Sequence, residues 1–339
     1  MHPFTDTFSE SVTAQGERGL IEAIRGWLGG TAPRPPHGMG DDCAVLPARR
    51  EAGRHGGARR QLVTVDPVIY GQHFDDGVSP QNAGAKLLRR NLSDIAAMGG
   101  RPHSAVVALM LDGRVKTAWV EGFYRGMARV ARRHGVALVG GDVAALPGGL
   151  AATLTLVGDA PSARGSRVLR RDGARPGDRI YVTGRLGGSL ASGRHFSFTP
   201  RLAEGAWLAG RREVRAMMDI SDGLAKDLFA LTPAGCAPAL EEAALPRHRN
   251  CDTRSALCDG EDYELLLAVA ARADRTAFEA AWRKKFPGLR LTCIGRFVPA
   301  GQLPPGALDL REFHGFEHLY CRNEDTCGVF HPDQDHDHR

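Results

Sequence analysis

The chain has 339 residues, 42 of them glycine, and a formal net charge of +5 at pH 7. This length is sufficient for two ordinary domains, and so small a charge without a dense Lys/Arg block argues against a nucleic-acid partner. The longest apolar run, residues 105–111, is far shorter than the ~20 residues of a spanning helix, and the acidic N-terminus lacks a signal pattern, so we expect a cytoplasmic protein without a membrane partner.

Predicted helices and strands alternate along the chain. The helices are residues 11–28, 80–98, 117–134, 200–209, 223–231 and 275–285. The strands are residues 61–65, 105–111, 136–139, 151–157, 179–183, 217–220, 263–269 and 289–294. This alternation predicts an α/β or α+β fold. The Arg-, Gly- and Pro-rich segment 162–178 predicts a boundary, giving domains at 1–160 and 161–320 and a polar tail at 321–339.

The cysteines and the tail carry little functional signal. The seven cysteines are scattered without a CxxC pair, which argues against a disulfide framework and a structural zinc site. The tail contains Cys321, Cys327, His331, His336 and His338. It is open to two interpretations, a soft-metal site or a polar, frayed C-terminus, and we favour the second.

Six short acidic segments are the most informative feature of the chain. They are Gly40-Asp41-Asp42, Val65-Asp66, Asn91-Leu92-Ser93-Asp94, Gly140-Gly141-Asp142, Asp219-Ile220-Ser221-Asp222 and Asp259-Gly260-Glu261-Asp262. Several follow apolar strands, so we expect their carboxylates at strand ends, where open α/β sheets bind ligands. Converging carboxylates repel each other unless cations lie between them, and magnesium bridges carboxylates to substrate phosphates. The pattern therefore predicts an enzyme that uses magnesium and a nucleotide.

An ordered set of longer motifs carries a family resemblance. They are GMGDDCAVL (38–46), TVDPVIYGQHF (64–74), KLLRRNLSDIAAMGG (86–100), LVGGD (138–142), RRDGARPGDRIYVTGRLGGS (170–189), PRLAEG (200–205), AMMDISDGLAKDL (216–228) and DGEDYELL (259–266). The set closely resembles the thiamine-monophosphate kinase family, part of the aminoimidazole-ribonucleotide-synthetase-like superfamily of ATP-using enzymes. The resemblance extends from about residue 18 to residue 319.

The resemblance implies a fold, a reaction and a set of site residues. The fold is a two-domain PurM-like one, with an N-terminal mixed-sheet domain that forms a homodimer and a C-terminal α/β domain. The reaction is transfer of the γ-phosphate of ATP to thiamine monophosphate with several magnesium ions. The implied magnesium ligands are Asp42, Asp66, Asp94, Asp142, Asp219 and Asp222. The implied ATP contacts are Gly141, Asp142, Arg171 and Ser221, and the acceptor contacts are His73, Glu261 and Phe316. Asp94, Asp142 and Arg171 are the implied catalytic residues.

General chemistry agrees with a phosphate acceptor. A phosphate monoester has a second pKa of about 6 and is mostly a dianion near neutrality. It needs no general base, but it needs shielding from the polyanionic donor, since phosphoryl transfer depends on positioning and charge neutralisation. Abundant aspartates without an obvious His/Asp base pair match that requirement.

Structural roles remain open for several of these residues. Asp41 and Asp42 are also typical of a turn cap, and Ser221 and Asp222 of the N-cap of a helix beginning at Gly223. Asp94 fits the solvated face of a helix. His73 and Phe316 fit ordinary packing, and either Arg170 or Arg171 fits the phosphate contact.

Four departures from the family pattern bear on the substrate. Val65 and Val143 stand where threonine is usual, Asp259 stands where glycine is usual, and the segment between Gly188 and Pro200 is short. They leave two alternatives open. One is a related ATP-dependent enzyme with another small acceptor, such as an amide, carbamoyl or selenide compound. The other is a nucleotide-binding protein without turnover.

Overall fold

The computed structural model describes residues 7–10, 12–28, 37, 41–46 and 60–316. The chain forms two compact units, one of residues 1–33 with 316–339 and one of residues 34–315. The first unit contains helix α1 (Val12–Leu28), which is interrupted at Gly16, where φ is 66°. The helix expected at residues 11–28 is thereby confirmed. The cysteines and histidines of the tail lie outside the described residues.

The larger unit begins with a mixed five-stranded sheet. Its strands are β1 (Ala44–Leu46), β2 (Gln61–Ile69), β3 (Arg101–Leu111), β4 (Ala137–Ala145) and β5 (Leu150–Asp159). They lie in the order β1-β2-β5-β3-β4. The β3–β4 pair is parallel and the other pairs are antiparallel. Helices α2 (Pro80–Ala97) and α3 (Thr117–His134) supply buried side chains to the core of this sheet.

A second five-stranded sheet follows, and its described pairs are all antiparallel. Its strands are β6 (Arg179–Thr183), β7 (Val214–Asp219), β8 (Cys236–Leu240), β9 (Leu265–Val269) and β10 (Leu291–Pro299), in the order β7-β9-β6-β10-β8. The accompanying helices are α4 (Leu202–Ala209), α5 (Leu224–Leu231), α6 (Thr253–Cys258) and α7 (Arg275–Lys285). Along the chain, the first sheet ends before residue 160 and the second begins after it. The domain division predicted at residue 160 stays a prediction.

Helix α2 is the element that brings the two sheets' residues together. Pro80 is its first residue, and the Ser79 hydroxyl accepts a hydrogen bond from the Asn82 amide at 3.2 Å. Its neighbours approach closely, because a Cβ on Gly84 would lie 2.0 Å from the Phe123 carbonyl oxygen and one on Gly205 would lie 2.0 Å from that of Ala96. Close packing against both α3 and α4 fixes the position of its polar residues.

The architecture confirms the predicted α/β (α+β) class and corrects two strand ends. β2 continues through Asp66 to Ile69, and β4 continues through Asp142 to Ala145. The expectation that Asp66 and Asp142 stand at strand ends is therefore wrong. Both strands extend because their neighbours continue the ladder, which pairs Asp66 with Leu154 and Asp142 with Ala108.

Strands β1 and β8 and helix α6 were not expected from the sequence pattern. No described helix is both long and apolar enough to cross a membrane. The cytoplasmic location stays a prediction.

Candidate active site

Three aspartates from distant parts of the chain form a compact acidic centre. Asp42 precedes β1, Asp94 belongs to α2, and Asp219 ends β7. One carboxylate oxygen of each lies within 4.8 Å of the others. Asp42 and Asp219 are buried, with 9% and 2% of their surface exposed. Three carboxylates at such distances, largely shielded from water, repel one another strongly.

Each carboxylate of the acidic centre has one neutral or cationic partner. The Thr64 hydroxyl donates to Asp94 Oδ2 at 2.5 Å, and the Ser93 hydroxyl donates to Asp219 Oδ2 at 2.6 Å. Arg171 Nη2 donates to Asp42 Oδ1 at 2.6 Å. The other oxygen of Asp42, Oδ2, is buried and has no hydrogen-bond partner within the described part of the chain. Buried polar atoms are rarely left unsatisfied, so an unpaired carboxylate oxygen here indicates a missing ligand.

The electrostatics of the acidic centre fit a divalent cation. Burial, and then the neighbouring charge of Asp66, raises the pKa of Asp94 well above its usual range. Burial and the charge of Asp42 raise the pKa of Asp219 in the same way. A magnesium ion favours such oxygen ligands, and its charge would offset the repulsion. The three residues therefore fit the metal that the sequence predicts.

The other implied magnesium ligands lie outside this group of three. Asp66 on β2 forms an ion pair with Arg90 Nη2 at 3.4 Å. Asp222 forms an ion pair with Lys226 at 3.0 Å. Neither is part of the acidic centre in this structure, although the charge of Asp66 acts on Asp94. Their roles as metal ligands stay predictions.

Asp142 lies on a different surface of the first sheet. It pairs in register with Ala108, which is exposed, whereas the adjacent Val107 and Leu109 on β3 are buried. Asp142 therefore belongs to the face opposite α2 and α3. Gly141 has a structural explanation, since a Cβ there would lie 2.0 Å from the Val107 carbonyl oxygen. The implied roles of Gly141 and Asp142 stay predictions.

Two of the three implied acceptor residues meet at the other end of α2. We call the group of His73, Lys86, His195 and Glu261 the Lys86 cluster. Lys86 Nζ donates to the His73 carbonyl oxygen at 3.1 Å and forms an ion pair with Glu261 Oε2. Nδ1 of His195 lies 2.7 Å from both Lys86 Nζ and Glu261 Oε2.

Charges within the Lys86 cluster offset one another. Burial lowers the pKa of Lys86 to about 8, although the charge of Glu261 opposes that shift. Burial acts to raise the pKa of Glu261, but the His195 hydrogen bond and the Lys86 charge prevail and lower it to about 2. Glu261 is therefore ionised at neutral pH. Its backbone has φ of 54°, a left-handed conformation that is costly outside glycine and is common at functional sites.

Comparison with known proteins identifies the family of this chain. Residues 40–160 match the family model described as AIR synthase related protein, N-terminal domain. Thiamine-monophosphate kinase of Rhodopirellula baltica is 33% identical over 278 residues, covering 78% of this chain and 84% of that protein. The enzyme of the same name from Salmonella typhimurium is 34% identical over 288 residues, covering 76% and 83%. This chain belongs to the thiamine-monophosphate kinase family.

A solved family structure has the same fold. AaThiL complexed with AMPPCP and TMP superposes with a TM-score of 0.74 at 27% identity, covering 92% of this chain and 100% of that one. The PurM-like α/β (α+β) fold expected of a thiamine-monophosphate kinase is thereby confirmed. That structure contains an ATP analogue and TMP in one protein of the family.

The remaining implied residues lie as follows in this thiamine-monophosphate kinase family member. Arg171 contacts Asp42, whereas Arg170 Nε donates to Asp41 at 3.3 Å. The Ser221 carbonyl oxygen accepts a hydrogen bond from the Glu261 amide at 2.7 Å. Helix α5 is capped at Gly223 without a side-chain hydrogen bond. An N-cap role for Ser221 or Asp222 is therefore wrong. Phe316, in the other compact unit, is 45% exposed.

Several site residues were missed by the sequence interpretation. They are Thr64, Lys86, Arg90, His195 and Asp227, whose carboxylate accepts hydrogen bonds from the Ser221 and Asp222 amides at 2.9 and 3.0 Å. Lys86, Arg90 and Asp94 recur every four residues, so a polar stripe in the predicted helix was available as a signal. A lone histidine such as His195 gives none.

The unusual Asp259 also has a partner. Its Oδ2 accepts a hydrogen bond from the Gly188 amide at 2.8 Å. Through this hydrogen bond, the added carboxylate stabilises the glycine turn that follows β6. Val65, by contrast, is 57% exposed, while Thr64 beside it is buried. The side chain of Val65 therefore lies on the face of β2 away from the acidic centre.

Proposed function

We propose that this chain transfers the γ-phosphate of ATP to thiamine monophosphate and gives thiamine diphosphate and ADP. The observation that carries the proposal is the arrangement on α2. The acidic centre at Asp94 and the Lys86 cluster are eight residues apart, about 12 Å along a helix axis. Donor and acceptor bound at these two ends would bring their phosphates together between them.

Magnesium would be held at the acidic centre by Asp42, Asp94 and Asp219. The unpaired Oδ2 of Asp42 and the raised pKa values of Asp94 and Asp219 support this assignment. Magnesium supplies charge neutralisation for the ATP phosphates. Asp66, Asp142 and Asp222 remain further candidate ligands. Arg171 has a buried, unpaired Nε beside this centre, which suits a phosphate oxygen.

The acceptor would bind beside the Lys86 cluster, with His73 and Glu261 as its proposed contacts. The role of Phe316 as an acceptor contact stays a prediction. An oxygen of the acceptor phosphate forms a bond to the γ-phosphorus while the bond to the β,γ-bridging oxygen breaks. ADP leaves with that electron pair, and no proton has to be removed from the dianion. Glu261 is held in place by Lys86 and His195, so it is suited to orient the acceptor.

A homodimer through the first sheet is also part of the proposal. Val65 on β2 and Val106 on β3 are both paired with Thr155 on β5. The two valines are 57% and 42% exposed and lie on the face away from α2. Exposed apolar side chains in one row favour contact with another protein surface. Light scattering that gives a monomer mass at micromolar concentration would contradict the dimer.

The test is a coupled ADP-release assay with ATP, magnesium and thiamine monophosphate, with free thiamine as the control acceptor. We expect turnover with the phosphate ester and none with thiamine. Val65 and Val143 are the residues that favour the alternative without turnover, and the outward position of Val65 weakens that alternative. ATP binding without ADP release for thiamine monophosphate would contradict the proposed function.

A further inference from the structure

Helix α2 carries a stripe of charged residues between the two sites. Lys86, Arg90 and Asp94 are spaced by four residues, so they lie on one face on successive turns. Lys86 belongs to the Lys86 cluster and Asp94 to the acidic centre. Arg90 is therefore about 6 Å along the helix axis from each. It occupies the middle of the path between the proposed acceptor and donor sites.

The contacts of Arg90 leave one donor unused. Nη1 donates to the Pro67 carbonyl oxygen at 2.7 Å, and Nη2 is 3.4 Å from Asp66 Oδ1. The side chain is buried, with 8% of its surface exposed. Nε is buried and has no hydrogen-bond partner among the residues that the structure describes. A buried guanidinium with an unmet N–H indicates that a ligand oxygen or a water completes its hydrogen bonds.

Arg90 lies among charged groups of both sites. The carboxylates that act on its charge are Asp66, Glu261 and Asp94, drawn from the acceptor side and the metal side alike. Lys86 cannot serve the same purpose, because its ammonium already contacts the His73 carbonyl, His195 and Glu261. Arg90 is thus the cation on this stripe that retains a donor for a substrate.

We propose that Arg90 binds the phosphate of the acceptor and neutralises it while it attacks the γ-phosphate. This inference rests on the proposed function and deepens it. The acceptor phosphate and ATP are both polyanions, and the acidic centre, where magnesium would bind, is about 12 Å along α2 from the Lys86 cluster. A guanidinium between the sites offsets the remaining repulsion, and charge-assisted N–H···O bonds to phosphate are strong and directional. The ligand class is a phosphate monoester.

A purely structural Arg90 would hold Asp66 and the end of β2 and touch no substrate. The two roles differ in what they do to phosphate recognition. A phosphate-binding Arg90 contributes to the affinity for thiamine monophosphate and not to that for free thiamine. A structural Arg90 affects both ligands equally, or neither.

The experiment compares Arg90→Met, Arg90→Lys and Arg89→Met by calorimetric titration with thiamine monophosphate and with thiamine, without ATP. Arg89 is the matched control, since it is adjacent on α2 but donates to the Phe196 carbonyl oxygen. Thermal melting checks the fold of each variant. Steady-state kinetics then give KM for the acceptor and for ATP separately.

We expect Arg90→Met to weaken thiamine monophosphate binding by about tenfold or more, with thiamine binding unchanged. Arg90→Lys retains the charge and should recover part of that affinity, and Arg89→Met should match the wild type. Equal losses for both ligands, or wild-type affinity for the phosphate ester in Arg90→Met, would overturn the inference. A wild-type protein that neither binds nor phosphorylates thiamine monophosphate would instead overturn the proposed function. Turnover in the wild type with an unaffected Arg90→Met would overturn only the role of Arg90.

Discussion

The two ends of α2 differ in how the charges of their side chains are balanced. At one end, Asp42, Asp94 and Asp219 lie together with an unpaired buried oxygen and raised pKa values at Asp94 and Asp219. At the other end, Lys86 and Glu261 neutralise each other, with His195 in contact with both. The negative charge of the acidic centre is not balanced until cations bind. The charges of Lys86 and Glu261, by contrast, balance each other without a ligand.

The difference matches the needs of the two proposed substrate sites. A site that must bind magnesium with ATP gains from unmet carboxylate oxygens, since the ions then bind where the repulsion is greatest. A site that must orient a small acceptor gains from side chains already held in place, since less freedom is lost on binding. Substitutions at the two ends of α2 should therefore differ in their effects on turnover, on stability and on KM for the acceptor.

Asp94→Asn should have a large effect both on activity and on stability. It removes a carboxylate from the acidic centre and should lower turnover by about a hundredfold or more, because charge stabilisation of the phosphates is lost. The same change should raise the melting temperature in divalent-free buffer, because one repelling charge is gone. ADP release and thermal melting measure the two effects.

The control for Asp94→Asn is Asp274→Asn. Asp274 caps α7 by accepting a hydrogen bond from the Ala277 amide at 3.0 Å, and asparagine caps helices about as well. It should leave both quantities unchanged. Wild-type turnover in Asp94→Asn would show that the acidic centre does not serve the reaction.

Asp142→Asn tests the exposed face of the first sheet. The family resemblance predicts that transfer is abolished with little change in melting temperature, since Asp142 is exposed. The structure has Asp142 on the face away from the acidic centre, so this variant tests whether that face takes part in catalysis. Wild-type turnover in the ADP-release assay would remove Asp142 from the site.

Lys86→Met should act first on stability and then on the acceptor. It leaves Glu261 without its ammonium partner, and breaking a buried pair costs about 3–5 kcal/mol. We expect a lower midpoint in urea and a higher KM for the acceptor, with KM for ATP little changed. Adding Glu261→Gln should restore much of the stability, because the unpaired charge is removed. A double variant no more stable than Lys86→Met would contradict the paired, preformed cluster.

Phe316→Ala should have the smallest effect. An aromatic side chain that is 45% exposed contributes little to the fold, so the expected change is a higher KM for the acceptor with kcat retained. Kinetics with varied thiamine monophosphate measure it. An unchanged KM would make Phe316 an ordinary surface residue.

Local sequence patterns predicted the bounds of several helices and strands well. Other bounds depend on pairing between strands. Helices α3 and α7 and strand β6 have the bounds expected from periodicity and flanking residues. β4 was expected to stop at Val139, but its ladder with β3 continues through the glycine pair, which no local pattern encodes. The strand-end position of Asp142 failed for that reason.

The site was predictable only in part. Asp42, Asp94 and Asp219 were identified by family motifs, and the structure brings all three together. The pairing of Lys86 with Glu261 joins residues from distant segments, and a single helix pattern cannot reveal such a partner. The orphan Nε of Arg90 is a property of packing, so it became visible only in the structure.

The most direct test of the acidic centre is anomalous diffraction from crystals grown with Mn²⁺, a non-hydrolysable ATP analogue and thiamine monophosphate. Manganese scatters anomalously and accepts the oxygen ligands that magnesium uses. The account predicts an anomalous peak at about 2 Å from carboxylate oxygens of Asp42, Asp94 and Asp219, in contact with the analogue's phosphates. Bound nucleotide with no peak among these three carboxylates would contradict it.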